Sequence, residues 1–173
     1  IGFDLLFTKR SAWFGLLGLI LLLAIMGAAL LFLGSTRGAT NVDVSYPLQD
    51  AQSVDVSLKP ILGTVAVDSL SGKAADGTFV SGSIAETRSN QIDQEFQVSQ
   101  GKGDFTLERN GSFIVLPGSN WRWELAFNPD VDLSLETELP LGSLDYDLSD
   151  LQITNLDLKV PLGSIVVTLP KES

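Results

Sequence analysis

The stretch LPLGSLDY at residues 139–146 is repeated 21 residues later as VPLGSIVV at residues 160–167. A looser copy, PILGTVAV, occupies residues 60–67. Two further glycines, Gly82 and Gly103, are also followed by a small or polar residue and then an apolar one. The glycine spacing is close to 20 residues or twice that, and one copy near Trp121 lacks its glycine.

A fixed period of this size is typical of stacked coils, none of which can bury its apolar face alone. Glycine provides the backbone freedom needed at a shared corner, and the Ser or Thr that follows can hydrogen-bond nearby backbone. The sequence therefore predicts that five glycines occupy equivalent corners of successive coils: Gly63, Gly82, Gly103, Gly142 and Gly163. The Leu before each glycine and the apolar residue after each Ser should fill one layer.

Apolar and polar residues alternate from Val42 onward, for example at Val54, Val56 and Leu58. Strict alternation indicates strands with one face in a core and the other in water. We therefore expect no helix longer than two turns after residue 41. The apolar side of each local alternation predicts one shared core, which includes Leu135, Leu144, Leu148, Leu151, Ile153, Leu158, Ile165 and Val167.

Short strands at regular spacing are compatible with a sandwich, a barrel or a solenoid. The repeated corner favours a mainly β fold, a β-solenoid of the single-stranded β-helix type, because each coil must turn at the same place. A β-sandwich is the alternative.

Residues 12–33 are 22 consecutive residues without a charge. As a helix they would be roughly 33 Å long, enough to cross a hydrocarbon core of about 30 Å. The segment is apolar on every face, which favours one continuous transmembrane helix over a buried core helix, and it is longer than a signal-peptide core. Lys9 and Arg10 precede it and only Arg37 follows closely, so the N-terminus is predicted to be cytoplasmic and residues 38–173 to lie outside.

These patterns divide the chain into four parts. Residues 1–11 form a cytoplasmic or interfacial segment, residues 12–33 the transmembrane helix, residues 34–41 a linker and residues 42–173 the extracytoplasmic solenoid.

The composition excludes several kinds of chemistry. The chain has no cysteine and no histidine, which excludes thiolate nucleophiles, disulfides, His-bound metals and a Ser-His-Asp triad. From residue 38 onward there are 20 acidic and 8 basic residues, so the domain should repel nucleic acid. Asp145 and Asp147 could share a cation with Asp150, but no calcium loop is present, and a solvated outer face explains them better. We expect no catalytic, cofactor-binding or metal-binding residues, and no enzyme.

Two pairs of residues are candidates for binding a partner. Ala24 and Ala28 form a small-xxx-small pair that would let another membrane helix approach closely. Trp121 and Trp123 form a wide layer of the core or, if they face outward, a patch for a partner.

Four segments resemble the toastrack β-solenoid domain of bacterial envelope proteins, including LiaF-like and PspC-like stress regulators. They are WRWELAFNP at 121–129, LSLE at 133–136, LGSLDYDLSDL at 141–151 and LDLKVPLGSIVVTLP at 156–170. The resemblance implies a domain linked to membrane helices that takes part in signalling envelope damage, and it brings no catalytic residues. This chain differs in having one N-terminal span and a Leu-Gly-Ser corner.

The function expected from the sequence is therefore a non-catalytic, single-pass protein of a bacterial plasma membrane. It would serve as an accessory or scaffolding subunit, with the lipid bilayer and other membrane-protein subunits as partners of its helix and solenoid face. The alternative, suggested by the resemblance, is a LiaF-like envelope-stress regulator.

Overall fold

The computed structural model describes residues 40–72, 75–86, 92–110 and 121–170. The secondary-structure elements in these ranges are β-strands. The strands are β1 Thr40–Pro47, β2 Ser53–Lys59, β3 Leu62–Ser69, β4 Thr78–Glu86, β5 Ile92–Ser99, β6 Lys102–Arg109, β7 Arg122–Phe127, β8 Asp132–Glu138, β9 Leu141–Asp147, β10 Gln152–Lys159 and β11 Leu162–Thr168. The prediction of no long helix after residue 41 is confirmed in these ranges. The helix predicted over residues 12–33 lies outside them.

The strands form two sheets. Sheet A has the order β1-β4-β7-β3-β9-β11, and sheet B has the order β10-β8-β2-β6-β5. The apolar residue of each alternating pair points toward the opposite sheet, as in β8, where Leu133 and Leu135 are buried between exposed or half-buried neighbours.

Successive strands pass from sheet B to sheet A and so make coils. Four such coils, β6–β7, β2–β3, β8–β9 and β10–β11, stack with parallel pairing between neighbours. This is the β-solenoid-like arrangement that the repeat predicts. The stacking order differs from the chain order, because the β2–β3 coil lies between β6–β7 and β8–β9.

Antiparallel strands close the other end of the stack. β4 pairs with β7 and with β1, and β5 pairs with β6 through a tight hairpin. Gln100 and Gly101 in that hairpin both have positive φ angles, 54° and 79°, the geometry of a type I′ turn. The alternation of apolar and polar residues is the same in parallel and antiparallel strands. The sequence pattern therefore did not distinguish these antiparallel strands from the strands of the coils.

The repeated corner is built as predicted at three of the five glycines. Gly63, Gly142 and Gly163 are paired in register on β3, β9 and β11. Their φ angles are 115°, 146° and 156°. In the β6–β7 coil Trp121 takes the equivalent place, since its carbonyl oxygen accepts a 2.9 Å hydrogen bond from the N–H of Thr64. The prediction that the segment near Trp121 is a copy of the repeat without its glycine is therefore also confirmed.

The prediction is wrong for Gly82 and Gly103, which lie within strands β4 and β6. A Cβ atom on Gly82 would lie 2.0 Å from the carbonyl oxygen of Glu124, and one on Gly103 would lie 2.9 Å from Cγ2 of Val54. Close packing, rather than a turn, requires glycine at both positions.

The core runs continuously between the sheets. Its largest fully buried side chains include Trp123, Tyr146, Phe79, Phe105 and Phe127. Of the eight residues predicted to share it, Leu135, Leu144, Leu148 and Leu151 are buried, and Ile153, Leu158 and Val167 are partly buried against it.

Ile165 is the exception, at 44% exposed, because β11 is the outermost strand of sheet A among the described residues. The leucines before the glycines also depart from the prediction. Leu141 and Leu162 are 51% and 65% exposed, because each shares the outer face with the Ser two residues later.

Candidate interaction surfaces

The outer face of sheet B is strongly acidic. Carboxylates project from all five of its strands: Asp93 and Glu95, Asp104 and Glu108, Asp55, Asp132, Glu136 and Glu138, and Asp157. Lys102 pairs with Asp55 at 2.7 Å, and Lys159 pairs with Asp157 at 3.0 Å and Glu136 at 3.1 Å. Hydrogen bonds to these carboxylates raise the pKa of both lysines. Such exposed pairs contribute little stability, so the face is chiefly a source of negative potential.

The outer face of sheet A is different, since small side chains dominate its middle. Ser83 of β4 lies beside Glu124 of β7, and Ser81 lies beside Ala126. With Ala66 of β3 these residues line a shallow groove of about 520 Å³ across three hydrogen-bonded strands. The guanidinium of Arg122 pairs with the carboxylate of Glu124 within the groove, and the exposed carboxylate of Asp68 also lines it.

A second groove of about 770 Å³ lies at the closed end and is lined by Tyr46, Ile92, Gln94, Thr106 and the carboxylates of Asp93, Glu95 and Glu108. Aromatic rings pack beneath it. Phe79 stacks on Phe96 with a 4.7 Å centroid distance, and Tyr46 meets Phe105 edge-on at 5.5 Å. Burial raises the pKa of Tyr46. These rings contact one another and so stabilise the end of the core. This packing is sufficient to explain why aromatic residues cluster here.

The opposite end of the stack exposes apolar side chains. The large hydrophobic residues that are exposed in the described ranges belong to the last two coils and the residue just beyond them: Leu141, Leu162, Ile165, Val166 and Leu169. We call this group the apolar end.

The two tryptophans considered as partner contacts are both buried. Trp123 is 1% exposed and Trp121 is 8% exposed, and the guanidinium carbon of Arg109 lies 4.2 Å from the centre of the Trp121 ring. Their burial agrees with the core interpretation and leaves a partner little ring surface to contact. Ala24 and Ala28 lie outside the described residues.

The three aspartates weighed as a cation site are exposed. Oδ1 of Asp147 accepts hydrogen bonds from the backbone N–H and the hydroxyl of Ser149, at 3.1 and 2.6 Å, which lower the pKa of this carboxyl. Asp147 therefore stabilises the turn after β9. In the part of the chain that the structure describes, no three acidic side chains lie together in a way that could hold a metal ion.

Two buried polar groups were not anticipated. Nδ2 of Asn128 donates 2.7 Å hydrogen bonds to the carbonyl oxygens of Ala75 and Thr78, and its Oδ1 accepts one from the N–H of Asp130. The Asn-Pro-Asp sequence is a turn signal, but it does not reveal that the first residue is buried.

The second buried polar group is a hydroxyl pair. The Tyr146 hydroxyl lies 2.8 Å from Oγ1 of Thr137, and burial raises the pKa of the tyrosine. Thr137 lies among the inward-facing residues of this segment, between Leu135 and Leu139. A polar residue at an inward position of the alternation was the sequence signal that could have indicated this buried pair.

Coils stacked in parallel around glycine corners define a β-solenoid-like domain. The chain belongs to the family described as the N-terminal domain of toast_rack, DUF2154, whose family model matches residues 34–173. No curated protein matches the sequence.

Two solved structures are similar to the chain. A proposed cell adhesion protein from Clostridium sporogenes ATCC 15579 has a TM-score of 0.66 at 13% identity, over 73% of this chain and 59% of that one. A proposed adhesin from Bacteroides fragilis NCTC 9343 has a TM-score of 0.36 at 11% identity, over 75% and 62%. The chain thus spans less than two thirds of either structure. At these identities the first likeness shows the fold alone.

Helices that could cross a membrane are not found among the described residues.

Proposed function

We propose that this chain is a membrane-anchored, non-catalytic subunit that holds its solenoid outside the cytoplasm of a bacterium and binds other proteins of a membrane complex. The uncharged residues 12–33 and the Lys9–Arg10 pair support the anchor and its direction. The family match over residues 34–173 agrees with the resemblance to toastrack domains of bacterial envelope proteins, from which the placement of the domain is inferred.

The observation that carries the proposal is the groove on sheet A. Its lining includes the small side chains of Ser81, Ser83, Ala66 and Ala126 beside the charged Asp68, Arg122 and Glu124, so a partner can come close to the backbone between the charges. These strands are fixed by continuous hydrogen bonding, which reduces the ordering cost of binding. The more numerous carboxylates of sheet B disfavour an acidic partner on that face.

Purification of the full chain from gently solubilised membranes tests this proposal. The chain should elute with one or more larger membrane proteins at a fixed ratio. Ser83→Arg places a long charged side chain in the groove and should remove the partner. Gln97→Arg, an equally charged change on the exposed face of sheet B, should leave the complex intact. Recovery of the chain alone, or equal behaviour of the two variants, would contradict the proposal.

The alternative is an envelope-stress regulator, and the toastrack family match favours it. In that case deletion of the chain should change the transcription of envelope-stress genes while the membrane complexes stay assembled. An adhesive role, as the name of the Clostridium sporogenes structure suggests for that protein, would instead require binding to a surface outside the cell.

A further inference from the structure

The strands of the coils run between two edges of the domain, which differ in chemistry. At one edge β2, β6, β8 and β10 end and β3, β7, β9 and β11 begin. We call it the corner edge, and its described turns are residues 60–61, 139–140 and 160–161. We call the opposite edge the loop edge, and its described turns include residues 48–52, 75–77, 128–131 and 148–151.

The charges divide unevenly between the two edges. We count residues in the turns and the two residues at each end of a strand. Of the basic residues in the described ranges, only Lys102 lies at the loop edge, whereas the corner edge has Lys59, Arg109, Arg122 and Lys159. The acidic residues at the loop edge are Asp50, Asp68, Asp76, Asp130, Asp132, Asp147 and Asp150. Those at the corner edge are Glu86, Asp93, Glu108 and Glu138. Acids and bases thus balance at the corner edge, and the loop edge is strongly negative.

The corner edge also carries exposed apolar residues. Pro140 is exposed and Ile61 is half-buried in their turns. Leu141 is 51% exposed although β9 lies between β3 and β11, so its exposure is not that of an outermost strand. Lys59 and Lys159 are exposed just before two of the turns. Lysine can lay its stem on apolar neighbours while its ammonium stays in water, and apolar tips flanked by cations are typical of surfaces that enter the headgroup layer of a membrane.

The first strand of the domain begins at this same edge. Asn41 of β1 pairs with Ala85, which pairs with Arg122 at the start of β7. In the proposed function residues 12–33 span the bilayer, and seven residue steps separate Leu33 from Thr40. An extended chain covers at most about 3.6 Å per residue, so the start of β1 would lie within about 25 Å of the bilayer surface.

We propose that the corner edge rests on the outer surface of the lipid bilayer, with Pro140 and Leu141 in the headgroup layer and the loop edge turned away. The proposal rests on the anchor of the proposed function. The tether makes even a weak contact effective, because it holds the edge at a high local concentration near the lipid. Anionic headgroups repel the loop edge more strongly than the corner edge, which favours this orientation.

This orientation also bears on the groove of sheet A. With the corner edge on the bilayer, the strands run steeply to its surface. The outer face of sheet A then faces sideways, along the plane of the membrane. A neighbouring membrane protein can therefore reach the groove between β3, β7 and β4 without entering the space beneath the domain.

Fluorescence quenching of the full chain in vesicles provides the test, since the chain has no cysteine of its own. Leu141→Cys at the corner edge and Ser99→Cys, an exposed position at the loop edge, each receive a polarity-sensitive fluorophore. The vesicles contain phosphatidylcholine and phosphatidylglycerol, and some lipids carry a nitroxide high on the acyl chain. Quenching at position 141 should exceed that at position 99 by roughly threefold or more.

A second variant tests whether apolar contact holds the edge down. Adding Pro140→Glu to Leu141→Cys should reduce quenching at position 141, because a carboxylate resists entry into the headgroup layer. Ser45→Glu adds the same charge on the outer face of β1, outside the corner edge, and should leave quenching unchanged.

Flotation of the chain with the vesicles separates failure of the anchor from failure of the orientation. A chain that does not float contradicts the anchor and this proposal together. A chain that floats but shows equal quenching at positions 141 and 99, or no effect of Pro140→Glu, overturns the orientation alone. So does a fluorophore at position 141 that reports an apolar environment without quenching by the nitroxide lipid, because protein rather than lipid would then cover the edge.

Discussion

At the scale of single residues, the corner glycines are constrained by space as well as by angle. A Cβ atom on Gly142 would lie 1.9 Å from the carbonyl oxygen of Gly63, and one on Gly163 would lie 1.7 Å from that of Gly142. Each coil therefore depends on the absence of a side chain at its neighbour's corner. This explains why the glycine repeats while the surrounding residues vary.

Gly142→Ala should lower the free energy of unfolding by more than about 3 kcal/mol, because a strained positive φ angle alone costs about 1–3 kcal/mol and the clash adds to it. Gly77→Ala is the control. Gly77 also has a positive φ angle, 71°, but no atom lies within 4 Å of a Cβ there. It should cost only about 1 kcal/mol in urea unfolding followed by tryptophan fluorescence. Equal losses would show that the corners are not sterically closed.

Asn128→Leu should destabilise the domain by about 3 kcal/mol or more. The change leaves the carbonyl oxygens of Ala75 and Thr78 and the N–H of Asp130 without this partner, and a buried unsatisfied group costs about 1–3 kcal/mol. Asn155→Leu, on the exposed face of β10, should change stability by less than about 0.5 kcal/mol. The same urea measurement compares them, and similar losses would contradict the assigned role of Asn128.

Tyr146 predicts a loss of stability in alkaline solution. Burial raises its pKa, so the folded chain keeps this proton above pH 10, where the unfolded chain begins to lose it. Because the folded state then binds more protons, stability should fall by up to about 1.4 kcal/mol per pH unit above pH 10.

In Tyr146→Phe this dependence should be weaker, although stability at pH 7 drops because Thr137 loses its hydroxyl partner. Urea midpoints at pH 8 and pH 11 for both proteins provide the measurement. A slope unchanged by the substitution would assign the alkaline loss to other groups, among them Tyr46, whose pKa is also raised.

At the scale of the strand, position in the stack decides how much a core side chain contributes. Leu58 on β2 and Leu158 on β10 lie in one inward row, separated by Thr137 of β8. Leu58 is fully buried between coils on both sides, whereas Leu158 is partly buried in the last coil.

Leu58→Ala should therefore cost about 2–5 kcal/mol, and Leu158→Ala clearly less, about 1–2 kcal/mol. Asp145→Asn on the outer face should change stability by no more than about 0.5 kcal/mol. Urea unfolding of the three variants measures the loss of stability in each and so ranks them. A larger effect at Leu158 than at Leu58 would contradict this dependence on position in the stack.

The strands themselves were largely predictable, because alternation is a local property and one buried face imposes it. The corner at Gly63, Gly142 and Gly163 was predictable because its leucine and small residue repeat with the glycine. Gly82 and Gly103 lacked that leucine, and their glycines serve close packing, which depends on a neighbour distant in sequence. For the same reason the exposure of Ile165 could not be predicted, since it depends on which strand ends the sheet.

At the scale of the whole molecule, protection from hydrogen exchange should decrease from the middle of the stack outward. In an array, a coil with two neighbours opens less often than one with a single neighbour. Backbone amides of β2 and β3 should exchange most slowly, and those of β10 and β11 faster. Faster exchange in β2 than in β11 would contradict this order.

The order of the coils was not predictable from the sequence. The repeat indicated successive stacking, but the β2–β3 coil lies between two coils that follow it in the chain. Local alternation does not specify which of several similar strands pair, and long-range packing decides that. The interaction surfaces follow from this order and so were also beyond prediction.

That order has a consequence for the way the chain is made. A chain emerging from its N-terminus delivers β2 and β3 long before the β6–β7 and β8–β9 coils that cover them on either side. The domain cannot be completed one coil at a time during synthesis, because its middle coil waits for coils that are made later in the chain. Until then two apolar sheet edges remain open to solvent, and such contacts between distant residues form slowly. The newly made domain should depend on folding helpers for longer than a solenoid of equal size whose coils stack in the order of synthesis.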